Sequence, residues 1–158
     1  MREELLRLQT RSMKYNLIFE GLPEVEGEVT ETVVKTFIKE TLKIGDEIVF
    51  QNVHRLRKIS DRFPRAIVAR FSRYSDHEKV LQALPQNLKG TSFKVYQQYP
   101  KEIADRRKAL YPKLKEYKRQ ERRAKIVIDQ LYVDGVHYPN GDPPMAMHQM
   151  RGRRDMPV

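Results

Sequence analysis

PRAIVARFS, at residues 64–72, predicts a β-strand with two different faces. Successive side chains of a strand point to opposite sides, so every second residue shares a face. One face holds Ile67, Ala69 and Phe71. We expect this apolar face to pack on a core. The other face holds Val68 and Arg70, and it meets either water or nucleic acid.

The segments around this strand predict the remainder of one domain. They are strands at 16–24, 47–58 and 91–99 and helices at 29–45 and 75–86. The order strand, helix, strand, strand, helix, strand is that of the ferredoxin-like βαββαβ arrangement, in which two helices cover one side of a sheet. The sequence therefore predicts an α+β fold, with a domain of the RNA-recognition-motif type at about residues 14–98.

The two ends of the chain predict separate parts. Residues 1–13 predict a helix in which Leu5 and Leu8 have coiled-coil spacing, and we interpret it as the remnant of a longer coiled coil. Residues 139–158 are rich in Pro, Gly, Met and Arg without periodicity, which predicts a disordered tail.

Residues 101–138 predict a small helix-plus-β C-terminal domain. Its first part is a long basic helix pattern interrupted by Pro112, which we expect to kink the helix or to begin a second one. Its second part is β-rich, and Asp134-Gly135 predicts a hairpin turn between two short strands.

The charge of the chain favours polyanionic partners. The 158 residues contain 31 Lys and Arg against 21 Asp and Glu, a net charge of +10. The excess lies in two adjacent segments: residues 44–100 hold 10 basic and 5 acidic side chains, and residues 101–125 hold 11 and 4. Such a distribution indicates nucleic acid, an anionic surface or an acidic protein as partner.

No pattern of an enzyme site is present in the sequence. The absence of cysteine excludes disulfides, thiolate zinc sites and cysteine nucleophiles. The four histidines lack metal-binding spacing, and no phosphate-binding glycine loop occurs. We therefore expect a protein without catalytic activity, metal or cofactor. The sequence also has no apolar run long enough for a membrane span, so no membrane partner is expected.

Several basic and aromatic residues are candidates for binding nucleic acid. By strand alternation, Lys94 and Tyr96 share the face of Arg70, and Tyr96 either stacks on a base or packs on the C-terminal domain. Arg106 and Arg107 point about 100° apart on the basic helix, so we expect one to enter a binding groove and the other to be solvated. The further candidates are Lys113 on that helix and Arg11 and Lys14 at the start of the first strand.

Five stretches in this order carry a resemblance to a known family: RSMKYNLIFEGLPE, HRLRK, PRAIVARFS, YPKEIADRRKALYPKLKE and KIVIDQLYVDG. Over about residues 11–138 the chain resembles the first-open-reading-frame protein of LINE-type retrotransposons, the transposase 22 family. The resemblance implies a trimerising coiled coil, a noncanonical RNA recognition motif and a small C-terminal domain that together clasp single-stranded nucleic acid. It also implies nucleic-acid chaperone activity, RNA packaging and cytoplasmic ribonucleoprotein particles, with the nucleus as a second location.

The resemblance places functional basic residues at Arg70, Lys94 and Arg107, and in the loop that contains Arg62 and Arg65. The positions where a standard RNA recognition motif carries stacking rings are aliphatic here, namely Ile18, Ala66 and Val68. We therefore expect binding of single-stranded RNA, and of single-stranded DNA, with little regard to sequence. We expect this chain alone to be a monomer, and a homotrimer only where a coiled coil precedes it.

Two other interpretations remain open from the sequence. The chain could be a protein-interaction module of ferredoxin-like fold whose basic helix docks an acidic partner, because fold alone does not decide function. It could also be a fragment of a nucleic-acid enzyme.

Overall fold

The computed structural model describes residues 2–137, so the predicted tail at 139–158 lies outside the described residues. The chain divides into two compact units, with the boundary between Tyr99 and Pro100. Both units combine helix with antiparallel sheet, which confirms the α+β class. No helix within residues 2–137 is long and apolar enough to cross a membrane.

Unit 1 contains a four-stranded antiparallel sheet and three helices. The helices are α1 (Arg2–Ser12), α2 (Thr30–Glu40) and α3 (Tyr74–Asn87), and a 3₁₀ turn (Met13–Tyr15) follows α1. The strands are β1 (Asn16–Glu20), β2 (Phe50–Arg55), β3 (Ile67–Phe71) and β4 (Lys94–Gln97). Their spatial order is β2-β3-β1-β4.

Helices α2 and α3 pack on one face of this sheet. The predicted apolar face of β3 lies there, in contact with the inward residues of β1 and with both helices. The cluster includes Ile67, Ala69 and Phe71 of β3, Leu17 and Phe19 of β1, Val34, Phe37 and Ile38 of α2, and Val80 of α3. The alternation of PRAIVARFS is thus confirmed, because each of its three inward residues is buried.

The opposite face of the sheet, which we call the outer face, carries a mixed set of residues. Cross-strand pairing assigns to it Asn16, Ile18, Glu20, Asn52, His54, Val68, Arg70, Lys94 and Tyr96. Ile18 and Val68 are paired with each other at its centre and are only 5% and 6% exposed. Tyr96 and His54 flank this pair on the neighbouring strands.

Arg55, the last residue of β2, joins three segments of unit 1. Its side chain is 4% exposed and forms an ion pair with Glu28 at 2.9 Å. The guanidinium also donates to the backbone carbonyls of Leu22, Pro23 and Arg65. Because Glu28 accepts from two nitrogens, all five N–H donors of Arg55 are used. This network fixes the β1–α2 loop against the β2–β3 loop.

Unit 2 consists of α4 (Lys101–Arg119) and a three-stranded antiparallel sheet. The strands are β5 (Ala124–Val127), β6 (Gln130–Val133) and β7 (Val136–His137), in the order β5-β6-β7. One face of α4 packs on this sheet through a cluster of Leu110, Leu114, Tyr117, Ala124, Ile126, Leu131 and Val133. The hairpin turn at Asp134-Gly135 is confirmed, since both residues have positive φ, +53° and +83°.

Helix α4 runs through Pro112, so the expectation of a second helix beginning there is wrong. Proline deprives the carbonyl of Lys108 of its usual backbone donor. Leu110 and Leu114, on either side of it, both contact the unit 2 core, while Pro112 itself is exposed. Packing of this apolar face therefore outweighs the local preference for a break.

We predict that Arg55→Met lowers the free energy of unfolding by about 3 kcal/mol, because removal of one partner leaves Glu28 charged and 12% exposed without its ion pair. The matched control is Lys79→Met. It breaks an ion pair with Asp46 in which both side chains are largely solvent-exposed, and we expect a loss below about 1 kcal/mol. Urea unfolding followed by circular dichroism measures both. Equal losses in the two variants would contradict this account.

Candidate nucleic-acid interface

Arg70 lies on the outer face, as the sequence predicts, and it is held there by the protein. Its Nε donates to Gln51 at 2.8 Å, and its Nη1 donates to the backbone carbonyl of Ser12 at 2.6 Å. Asn16 is a further acceptor at 3.5 Å, and the guanidinium lies 5.6 Å from the Tyr15 ring. Within residues 2–137 no acceptor contacts Nη2. Arg70 therefore fixes the start of β1 and still has donors for a ligand.

Lys94 and Tyr96 also lie on the outer face, again as strand alternation predicts. Lys94 is exposed and pairs across the strands with Glu20. The Tyr96 hydroxyl donates to the same carboxylate, while the residue is 43% exposed. Burial, and next the hydrogen bond to Glu20, raise the pKa of Tyr96 well above its usual range. Its phenol is therefore neutral and its ring is partly accessible to a planar ligand.

Lys14 and Arg11 lie beside the first strand, at the end of α1 and in the turn after it. The Lys14 ammonium is 4.6 Å from the centre of the Tyr74 ring, and Tyr74 contacts Tyr15 edge to face. Because Tyr15 also lies under Arg70, this aromatic pair connects Lys14 with the outer face. Arg11 is exposed in the last turn of α1.

Arg62 and Arg65 lie in the β2–β3 loop but in different environments. Arg65 forms an ion pair with Glu24 that lowers the pKa of this carboxyl through the side-chain hydrogen bond. Arg62 is exposed, and its guanidinium is 5.9 Å from the ring of Phe63. Of the two, Arg65 is bound to the neighbouring loop and Arg62 extends into solvent.

Arg106 and Arg107 are both half-buried against the β5–β6 turn of unit 2, so the expectation that one of them is solvated is wrong. Arg106 forms ion pairs with Asp129 at 2.8 Å and Glu102 at 3.4 Å. Arg107 donates to the carbonyl of Ile128 at 2.7 Å. Viewed along the axis of α4, Leu110 lies between Arg106 and Arg107, and Leu110 belongs to the face that packs on the sheet. Both arginines therefore flank the packed face, and both can reach the turn.

Some residues around the candidate site were not found from the sequence. Gln51, which orients Arg70, lies at a β-bulge between Phe50 and Asn52, and no sequence pattern predicted this bulge.

On α4 of unit 2, the sequence singled out Lys113, which is half-buried, whereas Lys108 and Lys115 on the opposite side of the helix are exposed. Lys108 and Lys115 are seven residues apart, which is two helical turns. This spacing could have predicted from the sequence that they share one face of the helix.

The arrangement in unit 1 supplies cationic donors and a tyrosine around an aliphatic centre. Arg70, Lys94 and Tyr96 share the outer face, and Lys14 is connected to it through the tyrosine pair. Such donors bind phosphate oxygens. Within residues 2–137 no group of three or more acidic or histidine side chains is placed to hold a metal ion.

Comparison with known proteins adds no family to this description. The sequence matches no model of a protein family. It also matches no curated protein at a significant level.

Proposed function

We propose that this protein binds single-stranded RNA, and single-stranded DNA, without strong sequence preference, through a noncanonical RNA recognition motif in unit 1. The observation that carries the proposal is the outer face, which lies on the side of the sheet opposite both packed helices. On this face Arg70 and Lys94 lie near the buried aliphatic pair of Ile18 and Val68. The strand order β2-β3-β1-β4, with both helices on one face, supports the ferredoxin-like assignment.

The mechanism is neutralisation of backbone phosphates. Lys94 supplies a mobile ammonium, and Arg70 supplies a guanidinium whose orientation is already fixed by Gln51 and Ser12. A fixed guanidinium loses less conformational freedom when it binds a phosphate. Each neutralised phosphate releases counterions, so affinity decreases as salt increases.

Low sequence preference follows from the centre of the outer face. At two of the positions where stacking rings would read bases, Ile18 and Val68 are aliphatic and buried, and the third, Ala66, is half-buried. Tyr96 then offers an aromatic ring on the outer face on which a base can stack, and stacking tolerates any base. Backbone contacts dominate as a result.

In unit 2 we assign Arg106 and Arg107 a supporting part. Their contacts with Asp129 and with the carbonyl of Ile128 fix the β5–β6 turn, and their charge adds to the positive potential of α4. The resemblance to the first-open-reading-frame protein of LINE-type retrotransposons extends the proposal to RNA packaging and chaperone activity in ribonucleoprotein particles.

Formation of a trimer needs a longer row of apolar coiled-coil positions than Leu5 and Leu8, which are each 55% exposed on α1.

A protein-interaction module is the second candidate. An apolar groove between α2 and the start of β4 favours it, since Val29 is 66% exposed at its edge and Phe37 and Phe93 form part of its wall. Under that alternative, affinity for random polynucleotides depends only on total charge, and the place of a substitution has no effect.

We predict that the affinity for a fluorescein-labelled 20-nucleotide poly(U) decreases steeply with salt. For about six phosphate contacts, each contributing ~0.7, the slope of log K against log[salt] is about −4. Fluorescence anisotropy measures it, and mixed-sequence unstructured RNA and DNA are expected to bind with similar affinity. A slope near zero, or no binding at low salt, would refute the proposal.

We further predict that Lys94→Glu weakens poly(U) binding and reduces the salt slope by about one. The matched control is Lys39→Glu, which changes the net charge equally at an exposed position of α2, on the other side of the sheet. We expect the control to retain most of the affinity, with unchanged circular dichroism in both variants. If both substitutions weaken binding equally, total charge accounts for it and the interaction module is favoured.

A further inference from the structure

The solvent face of α4 carries a line of lysines that the proposed site does not include. We call it the lysine stripe, and its members are Lys101, Lys108, Lys115 and Lys118, with Tyr111 among them. Each is exposed, and Tyr111 is 44% exposed. The spacing of seven, seven and three residues brings them to one side of a helix.

The lysine stripe lies opposite the packed face of α4. Leu110, Leu114 and Tyr117 contact the three-stranded sheet, and Arg106 and Arg107 turn toward the same sheet. The stripe is therefore a surface distinct from the two arginines that the sequence singled out.

Three of the four lysines form no ion pair within residues 2–137. Lys101 pairs with Asp105 at 3.1 Å. For Lys108, Lys115 and Lys118, no carboxylate lies within ion-pair distance in the part of the chain that the structure describes. Glu116, which is adjacent to Lys115 and two residues from Lys118, pairs with Arg119.

The like charges of the lysine stripe destabilise the helix. Lys115 and Lys118 are three residues apart, and like charges at that spacing repel each other on a helix. The stripe also surrounds an exposed ring with cations, since Lys108 and Lys115 are three and four residues from Tyr111. A polyanionic ligand with planar groups compensates both features.

The dimensions and chemistry of the stripe favour a single-stranded nucleic acid over other polyanions. From Lys101 to Lys118 the helix rises about 25 Å, which equals about seven phosphates of a stacked strand. A membrane surface is disfavoured because the apolar face of α4 is occupied by the unit 2 core, which leaves no apolar face to enter lipid. An acidic peptide is disfavoured because this side of α4 offers it no apolar contact other than Tyr111 and Ala104.

We propose that the lysine stripe is a second contact for single-stranded nucleic acid, in which Lys108, Lys115 and Lys118 bind phosphates and a base stacks on Tyr111. This inference rests on the proposed function and adds a surface to it. Stacking on an aromatic ring tolerates any base, so the second contact is also independent of sequence.

The first test compares two triple variants of the full chain in poly(U) binding. The stripe variant is K108Q/K115Q/K118Q, and we expect its affinity to decrease tenfold or more and its salt slope to decrease by about two, at ~0.7 per lysine. The control is K35Q/K39Q/K89Q, which removes the same charge from exposed lysines of unit 1 outside the outer face. Its decrease is expected to be clearly smaller.

The second test uses Tyr111. Tyr111→Leu is expected to weaken poly(U) binding about fivefold or more, whereas Tyr111→Phe retains the affinity because the ring is kept. Irradiation of the wild-type chain with 5-iodouridine-substituted 20-mer, followed by mass spectrometry, is expected to cross-link the peptide that contains Tyr111. Thermal melts by circular dichroism check that all variants fold.

The outcomes separate this inference from the proposed function. If the wild type does not bind poly(U), both fail. If Lys94→Glu weakens binding while the stripe variant equals its control and Tyr111 does not cross-link, the stripe contact alone is refuted. Stripe-dependent binding to vesicles containing phosphatidylserine, with RNA binding unchanged, would also overturn it, in favour of a membrane contact.

Discussion

The position of the outer face depends on one buried guanidinium. Arg55 is the last residue of β2, and its guanidinium donates five hydrogen bonds. The acceptors are the Glu28 carboxylate, two carbonyls of the β1–α2 loop and the carbonyl of Arg65. Arg55 is opposite Ile67 in the register of β2 with β3, so the same residue closes the sheet where the β2–β3 loop leaves it. A lysine could not replace it, because an ammonium has three donors and no planar fork.

Arginine and lysine have different parts in this protein. Arg55, Arg65, Arg70, Arg106, Arg107 and Arg122 each contact a carbonyl or a carboxylate of the protein. Lys94, Lys108 and Lys115 are exposed, and their ammonium groups have no such contact within residues 2–137. The planar guanidinium suits fixed, multiple hydrogen bonds, and the flexible ammonium suits an adaptable point charge. These six arginines thus stabilise the structure around the exposed lysines.

Features that depend on side-chain period were predictable from the sequence, and features that depend on tertiary contacts were not. Strand alternation alone assigned Ile67 to the core and Arg70, Lys94 and Tyr96 to the outer face. The pairing of Arg106 with Asp129 could not be foreseen, because it requires knowledge of where the β5–β6 turn meets α4. The continuity of α4 through Pro112 has the same origin, since packing of the helix on its sheet outweighs the local break.

The distribution of contacts bears on how such a surface would recognise its ligand. A guanidinium that is already bound to protein acceptors, as Arg70 is, presents donors in one direction and restricts where a phosphate can lie. Exposed lysines impose no such restriction, so they accept phosphates over a range of positions. Combined with the buried aliphatic pair of Ile18 and Val68, this favours a strand held by its backbone in many registers. Under the proposed function, low sequence preference would then result from the choice of residue types as well as from the missing rings.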